Sequence, residues 1–203
     1  ATRHVAAARA VATEVAAPHA NDVDRRAAFP AETIAALARA RLLAAVVPRE
    51  AGGLGLDVPT LVRVASTLAR GCGASAMIWA MHQLQLACLV RHGGMAVPVL
   101  ADLLGTLVAD DLLLASVTSE KGSGSDIFRS HAAVERAGPG CRLRKDAPTV
   151  SYGRQAGAFL ISARRDPDAA PNDQVAVVVR RDQVVLEQLG GWNPMGMRGR
   201  SEE

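Results

Sequence analysis

The sequence predicts an α+β fold: an all-helical first half followed by an antiparallel β-barrel or sandwich. Three observations carry that expectation. Apolar residues recur at helical spacing through the first half of the chain. After residue 112 they fall into short continuous or alternating runs. Turn clusters separate those runs, at Gly138-Pro139-Gly140, Asp166-Pro167-Asp168 and Pro171-Asn172-Asp173. The expected division is a helical domain over 1–110 and a β domain over 111–203. Strands do not alternate with helices, which excludes a dinucleotide-binding βαβ domain.

Each element has a local cause. Residues 3–17 are rich in alanine, the strongest helix former. Pro30 stands at a first-turn position, with Ile34, Leu37, Ala38 and Leu42 following at helical spacing. Val46-Val47-Pro48 and Ala51-Gly52-Gly53-Leu54-Gly55 break that pattern into a loop. Leu61, Val64, Ala65 and Leu68 form a third stripe, closed by Gly71 and Gly73. Residues 74–91 are apolar nearly all round, as a buried central helix requires, and 95–108 form the last helix. Strands are expected at 112–118, 130–135, 158–164, 174–180 and 184–189.

Composition narrows the function. Hydrophobic residues make up 49% and charged residues 21% of the 203, an ordinary globular balance. The formal charge is only +3 and no basic block is interleaved with aromatics, so nucleic-acid binding is not indicated. Cys72, Cys88 and Cys141 are widely spaced and form no Cys-x-x-Cys pair, which points to reduced thiols in a cytoplasm. No run reaches the length of a membrane span. The five histidines show no metal-ligand spacing. Lys121 and Lys145 are the only lysines; with the alanine richness this resembles a GC-rich bacterial coding sequence.

The chemistry-bearing stretch is Ser116-Val-Thr-Ser-Glu-Lys-Gly-Ser-Gly-Ser-Asp126, directly after the apolar run Leu112, Leu113, Leu114 and Ala115. It reads as a buried strand opening into a glycine-rich loop. Strand-end hydroxyls at Ser116, Thr118 and Ser119 suit a polar ring edge. Gly122 and Gly124 let backbone N–H groups approach an anion. The alternative is a plain polar turn. Glu120 is a candidate acid–base residue or a residue that holds the loop, and Asp126 suits an Asx-type turn.

Three segments together resemble the acyl-CoA dehydrogenase family. The first is Phe29-Pro30…Leu37…Leu42-Leu43…Val47-Pro48-Arg49-Glu50-Ala51-Gly52-Gly53-Leu54-Gly55. The second, Thr118 to Asp126, is similar to the family's T-E-x-x-x-G-S-D loop. The third, Gly191-Trp192-Asn193-Pro194-Met195-Gly196-Met197-Arg198-Gly199, is similar to its G-W-x-x-x-G-M-R-G segment. The resemblance implies FAD as cofactor and α,β-dehydrogenation of an acyl-CoA or acyl-carrier thioester. It implies an electron-transfer flavoprotein or oxygen as acceptor, and a homodimer or homotetramer. It also implies a C-terminal helical bundle, absent from this chain, that supplies the catalytic carboxylate; no catalytic residue is therefore assigned here.

Positions matching the family's flavin contacts are Ser116, Thr118, Ser119, Gly124 and Ser125. A second flavin segment, which often reads G-x-K-x-W-I-T-N-G, falls on Arg144 to Gly153. Ser151 matches its Thr hydroxyl, and Thr149 stands where an aromatic often covers the flavin face. Ser125, Met81, His82 and Gln85 are the implied substrate-side residues, with a satisfied core histidine as the other reading of His82. Two alternatives stay open: a flavin-dependent monooxygenase or oxidase on the same fold, and a non-catalytic or half-site subunit pairing with a partner chain.

Overall fold

A computed structural model describes residues 2–93, 96–123, 126–187 and 193–200. The first helical run is longer than the alanine pattern predicts. Helix α1 (Thr2–Val11) passes through one wide turn (Ala12–Ala16) into α2 (Ala17–Arg25). In the wide turn the Ala17 N–H donates to the Ala12 carbonyl, five residues back. This turn directly precedes Pro18, whose missing N–H and bulky ring would break an ordinary ladder. Helix α3 (Ala31–Arg39) buries Ile34 and Leu37, with Pro30 as the residue that opens it.

Helices α4 (Val58–Ala69), α5 (Gly73–Arg91) and α6 (Pro98–Ala109) complete the helical half. The Asp57 side chain accepts from the Thr60 N–H at 3.0 Å and so caps α4. The loop between α3 and α4 is an apolar plug, with Leu42, Leu43, Ala45 and Val47 each 3% exposed or less. Its buried carbonyls need donors, and α5 supplies them. Trp79 Nε1 donates to the Leu42 oxygen at 2.9 Å, and Gln83 Nε2 to the Leu43 oxygen at 2.7 Å. Gln83 Oε1 in turn accepts from the Val46 N–H at 3.0 Å.

The β half departs from the expected barrel. Strands β1 (Leu113–Val117), β4 (Ala156–Arg164) and β5 (Gln174–Arg180) form a three-stranded sheet in the order β1-β4-β5. β4 and β5 are antiparallel, as expected, but β1 runs parallel to β4. A separate antiparallel ribbon joins β2 (Glu135–Ala137) to β3 (Gly140–Arg142). Among the described residues no closed barrel is found. The strand expected over 130–135 is mostly displaced: its N–H groups at His131 and Ala132 go to the Glu120 carboxylate rather than to a ladder. The strand expected at 184–189 does not form over its described part, where Val185 is 90% exposed with no neighbouring strand; Gln188 and Leu189 lie outside the described residues.

One apolar cluster runs from Val5 and Leu37 through Trp79 to Leu113, Tyr152 and Phe159, so helices and sheet share a core. The segment 193–200 returns to the helical half. Arg198 donates to Asp24 Oδ2 at 2.6 Å and to Asn193 Oδ1 at 2.5 Å. Gly199 has no room for a side chain: a Cβ there would lie 2.4 Å from both the Ala28 carbonyl oxygen and Val23 Cγ1. Gly199→Ala is expected to weaken this docking by about 1–3 kcal/mol. Hydrogen exchange at 193–200 checks it; unchanged protection would contradict the packing. Trp192, of the same motif, lies outside the described residues.

Candidate functional site

Two segments from distant parts of the chain meet at the carboxyl end of β1. The first is Ser116 to Ser123. The second is the turn Thr149 to Gly153, which precedes β4. Ser119 Oγ donates to the Thr149 carbonyl at 3.0 Å, and the Lys121 N–H donates to the Asp146 carbonyl at 2.9 Å. The far side of the turn is fixed by Tyr152. That residue is fully buried, has a φ of 44°, and donates its hydroxyl to the Leu114 carbonyl at 3.1 Å. A left-handed backbone at a bulky residue is held only by its surroundings, here the core beneath the turn.

The hydroxyls that this arrangement gathers are largely unused by the protein. Ser116 Oγ and Thr118 Oγ1 are 3.4 Å apart, the outer limit of a hydrogen bond. Ser151 is only 4% exposed as a residue, and its hydroxyl makes no hydrogen bond among the described residues, yet it is not one of the sealed, unpaired polar atoms of the fold. That hydroxyl therefore reaches the surface of the site, where solvent or a ligand atom can pair with it. Gly122, with a φ of 86°, allows the tight turn in which the Ser123 N–H and Oγ both bond the Glu120 carbonyl. Asp126 Oδ1 accepts from the Phe128 N–H at 2.9 Å, the expected Asx turn. Gly124 and Ser125 lie outside the described residues.

The loop is locked by its glutamate. Glu120 Oε1 accepts from the Ala132 N–H at 2.6 Å, and Oε2 from Ser130 Oγ at 2.8 Å and the His131 N–H at 2.9 Å. Lys145 Nζ sits 3.4 Å from Oε2, with the two side chains 4% and 5% exposed. That ammonium also donates to the Ser162 carbonyl at 2.7 Å and to Ser162 Oγ at 3.2 Å. Burial pushes the Glu120 pKa up, but the bonds from Ser130, His131 and Ala132 and the charge of Lys145 outweigh it, leaving it below the ordinary carboxylate value. Burial pulls the Lys145 pKa below its ordinary value, against the opposing pull of Glu120. The pair is assigned as ionised, because only the carboxylate anion accepts from all four donors. Glu120 thus has no oxygen left for acid–base work.

The α5 residues divide. His82 is 1% exposed; its Nε2 donates to the Leu43 carbonyl at 3.1 Å and its Nδ1 accepts from the Leu114 N–H at 3.0 Å. Burial pushes its pKa down to about 4, against those two hydrogen bonds. It is a neutral core residue linking the loop after α3 to β1, and neither ring nitrogen remains for a ligand. One turn further on, Gln85 is 7% exposed and its side-chain amide makes no hydrogen bond among the described residues. Met81 is half-buried. With Met77 at 38% exposure and Leu84 at 61%, it forms an apolar stripe at helical spacing on another face of α5. A separate open cleft of about 450 Å³ lies between the loop after α3 and the end of α5, lined by residues such as Val46, Arg49 and Arg91. None of the expected ligand-facing residues lines it. Among the described residues no group of three or more potential metal ligands converges, and no helix is long and apolar enough to cross a membrane.

Lys145, Ser162 and Tyr152 were not singled out by motif. Their signals are nevertheless present: a lysine in a chain that otherwise uses arginine, and the only tyrosine, placed before a glycine. A compact ammonium with rotatable donors suits a closed site that a planar guanidinium does not.

A helical layer whose longest helix supports a hydroxyl-lined strand end, beside a small mixed sheet, defines the class of this fold. Residues 2–98 match the family model described as the acyl-CoA dehydrogenase N-terminal domain. A probable acyl-CoA dehydrogenase of Mycobacterium leprae is 30% identical over 174 residues, covering 86% of this chain and 44% of that protein. Butyryl-CoA dehydrogenase of Megasphaera elsdenii superposes with a TM-score of 0.77 at 17% identity, over 89% of this chain and 48% of that one. FMN-bound TdsC of Paenibacillus sp. A11-2, a dibenzothiophene monooxygenase, superposes with a TM-score of 0.83 at 18% identity, over 98% of this chain and 49% of that one. Residues 2–98 thus belong to the acyl-CoA dehydrogenase N-terminal domain family, and the chain as a whole is similar to acyl-CoA dehydrogenases. It spans half or less of the length of the curated relatives it matches.

Proposed function

We propose that this chain forms the flavin-facing and acyl-facing walls of a FAD-dependent enzyme that dehydrogenates an acyl thioester between its α and β carbons. The observation that carries the reading is the meeting of the hydroxyl-lined β1 end with the Thr149–Gly153 turn, where the Ser151 hydroxyl is left for a ligand by the described residues. FAD, when bound, supplies the two-electron acceptor. Ser116, Thr118 and Ser151 orient its ring edge by hydrogen bonds. The Met77, Met81 and Leu84 stripe forms an apolar, water-excluding wall for the acyl chain, and the Gln85 amide is free to meet its polar end. Glu120, with both oxygens engaged, is not the base that would take the α-proton. An electron-transfer flavoprotein would serve as the electron acceptor.

One prediction separates ligand contact from scaffold. Ser151→Ala removes a hydroxyl with no described partner, so the melting temperature is expected to stay unchanged while FAD affinity falls about three- to tenfold. Paired thermal melts and FAD titrations check it; a loss of stability without a loss of affinity contradicts the assignment.

The likeness to TdsC over 98% of this chain favours a second reading, flavin-dependent oxygenation. Anaerobic addition of an acyl-CoA to the full-length protein distinguishes the two. Bleaching of the flavin absorbance supports dehydrogenation. Absence of bleaching, with oxygen uptake when reduced flavin is supplied, supports oxygenation.

A further inference from the structure

The two ligand-facing segments are thirty residues apart in the chain, yet they are laced together over successive residues. Ser119 bonds Thr149, Glu120 meets Lys145, and Lys121 bonds Asp146. Two of these links are single hydrogen bonds that either segment makes with little constraint. The middle link is different. The Glu120 carboxylate is held by three donors from Ser130, His131 and Ala132, and the Lys145 ammonium by both oxygens of Ser162 on β4. Each charge is thus fixed in place before it meets the other. The turn that carries Thr149 and Ser151 is pinned at one end by Lys145 and at the other by the Tyr152 hydroxyl on Leu114.

We propose that Glu120 and Lys145 are a positioning pair that sets the distance between the β1 strand end and the Thr149–Ser151 turn, and thereby the width of the flavin-edge site. This rests on the flavin reading above. The pair acts through the Ser119–Thr149 link, which lies one residue before Glu120 and four residues after Lys145; it does not exchange protons with the ligand. A buried ion pair is a weak source of net stability but a strong directional constraint, and a polar edge site needs its donors held within fractions of an ångström. The ammonium uses three directed donors on two elements, which an apolar side chain of the same length cannot reproduce.

The test compares FAD dissociation constants and melting temperatures of the full-length protein with those of three variants. Lys145→Met leaves an unpaired buried carboxylate, so both stability and FAD affinity are expected to fall. Glu120→Gln/Lys145→Met removes both charges and keeps an amide oxygen for one of the two backbone donors. Its melting temperature is expected to recover relative to Lys145→Met, while its FAD dissociation constant stays at least about tenfold above the parent's. The visible spectrum of the flavin it does bind is expected to shift, because the ring edge meets displaced hydroxyls. Ser162→Ala removes one acceptor of the ammonium without charge burial and is expected to raise the dissociation constant about threefold with the fold intact. The inference is overturned if the double variant binds FAD within twofold of the parent. Should the double variant fail to fold, unchanged affinity in Ser162→Ala overturns it instead. A parent protein that does not bind FAD brings down the flavin reading itself, a different outcome from equal binding by parent and variants.

Discussion

Glu120→Ala is expected to destabilise the fold by about 3–5 kcal/mol. The substitution leaves the Lys145 ammonium, 4% exposed, without its counter-charge. It also strands the His131 and Ala132 N–H groups and leaves the Ser130 hydroxyl with only the Ala132 carbonyl at 3.2 Å. Unmade bonds to buried groups cost more than the bonds themselves contribute, which is why the loss exceeds that of an exposed pair. Urea denaturation at neutral pH measures it; a loss under about 1 kcal/mol would mean that the loop is not built on this carboxylate. The effect has a pH signature. Glu120 is held below the ordinary carboxylate value, so its contribution is fully present above that value and is lost as pH falls through the folded-state pKa.

His82→Ala is expected to cost about 2–4 kcal/mol at neutral pH. The imidazole fills core space and satisfies two buried backbone groups, the Leu43 carbonyl and the Leu114 N–H, which belong to different halves of the fold. Its folded-state pKa is about 4 against an ordinary 6.5. As pH drops below 6.5 the unfolded chain takes up a proton that the native state refuses. Stability present above pH 6.5 is therefore lost progressively down to about pH 4, to the extent of about 3 kcal/mol. Replacing the ring removes this part of the acid dependence. Urea melts of parent and variant across that window are expected to converge toward acid; parallel pH profiles would show that His82 titrates normally.

Most of the helical half was legible because its elements are local. Residues such as Ile34, Leu37, Val64 and Leu68 bury one stripe at helical spacing, and that spacing needs no partner to be read. The continuation of the first helix to Arg25 was not legible, because Pro18 signals a break unless a wide turn absorbs it. In the β half the strands at 112–118, 158–164 and 174–180 were close, but their pairing was not. The apolar run Leu113–Val117 fits either strand direction, and its parallel alignment with Ala156–Ile161 is decided by the shared core more than forty residues away. Of the site, the hydroxyl-lined strand end could be read from residue type and position, and the loop-holding Glu120 from its match to the family's loop glutamate. His82 appeared as a pocket candidate because a histidine among methionines does not reveal which backbone groups need it. Lys145 was hidden because its counter-charge lies twenty-five residues earlier in the chain, a distance that only the folded sheet closes.

The most direct test of the account is an experimental structure of the full-length protein with FAD. The account predicts the flavin ring edge against Ser116, Thr118 and Ser151, with the Ser119–Thr149 and Glu120–Lys145 links intact beneath it. A flavin bound elsewhere on the chain, or a Ser151 hydroxyl facing only protein, would contradict it.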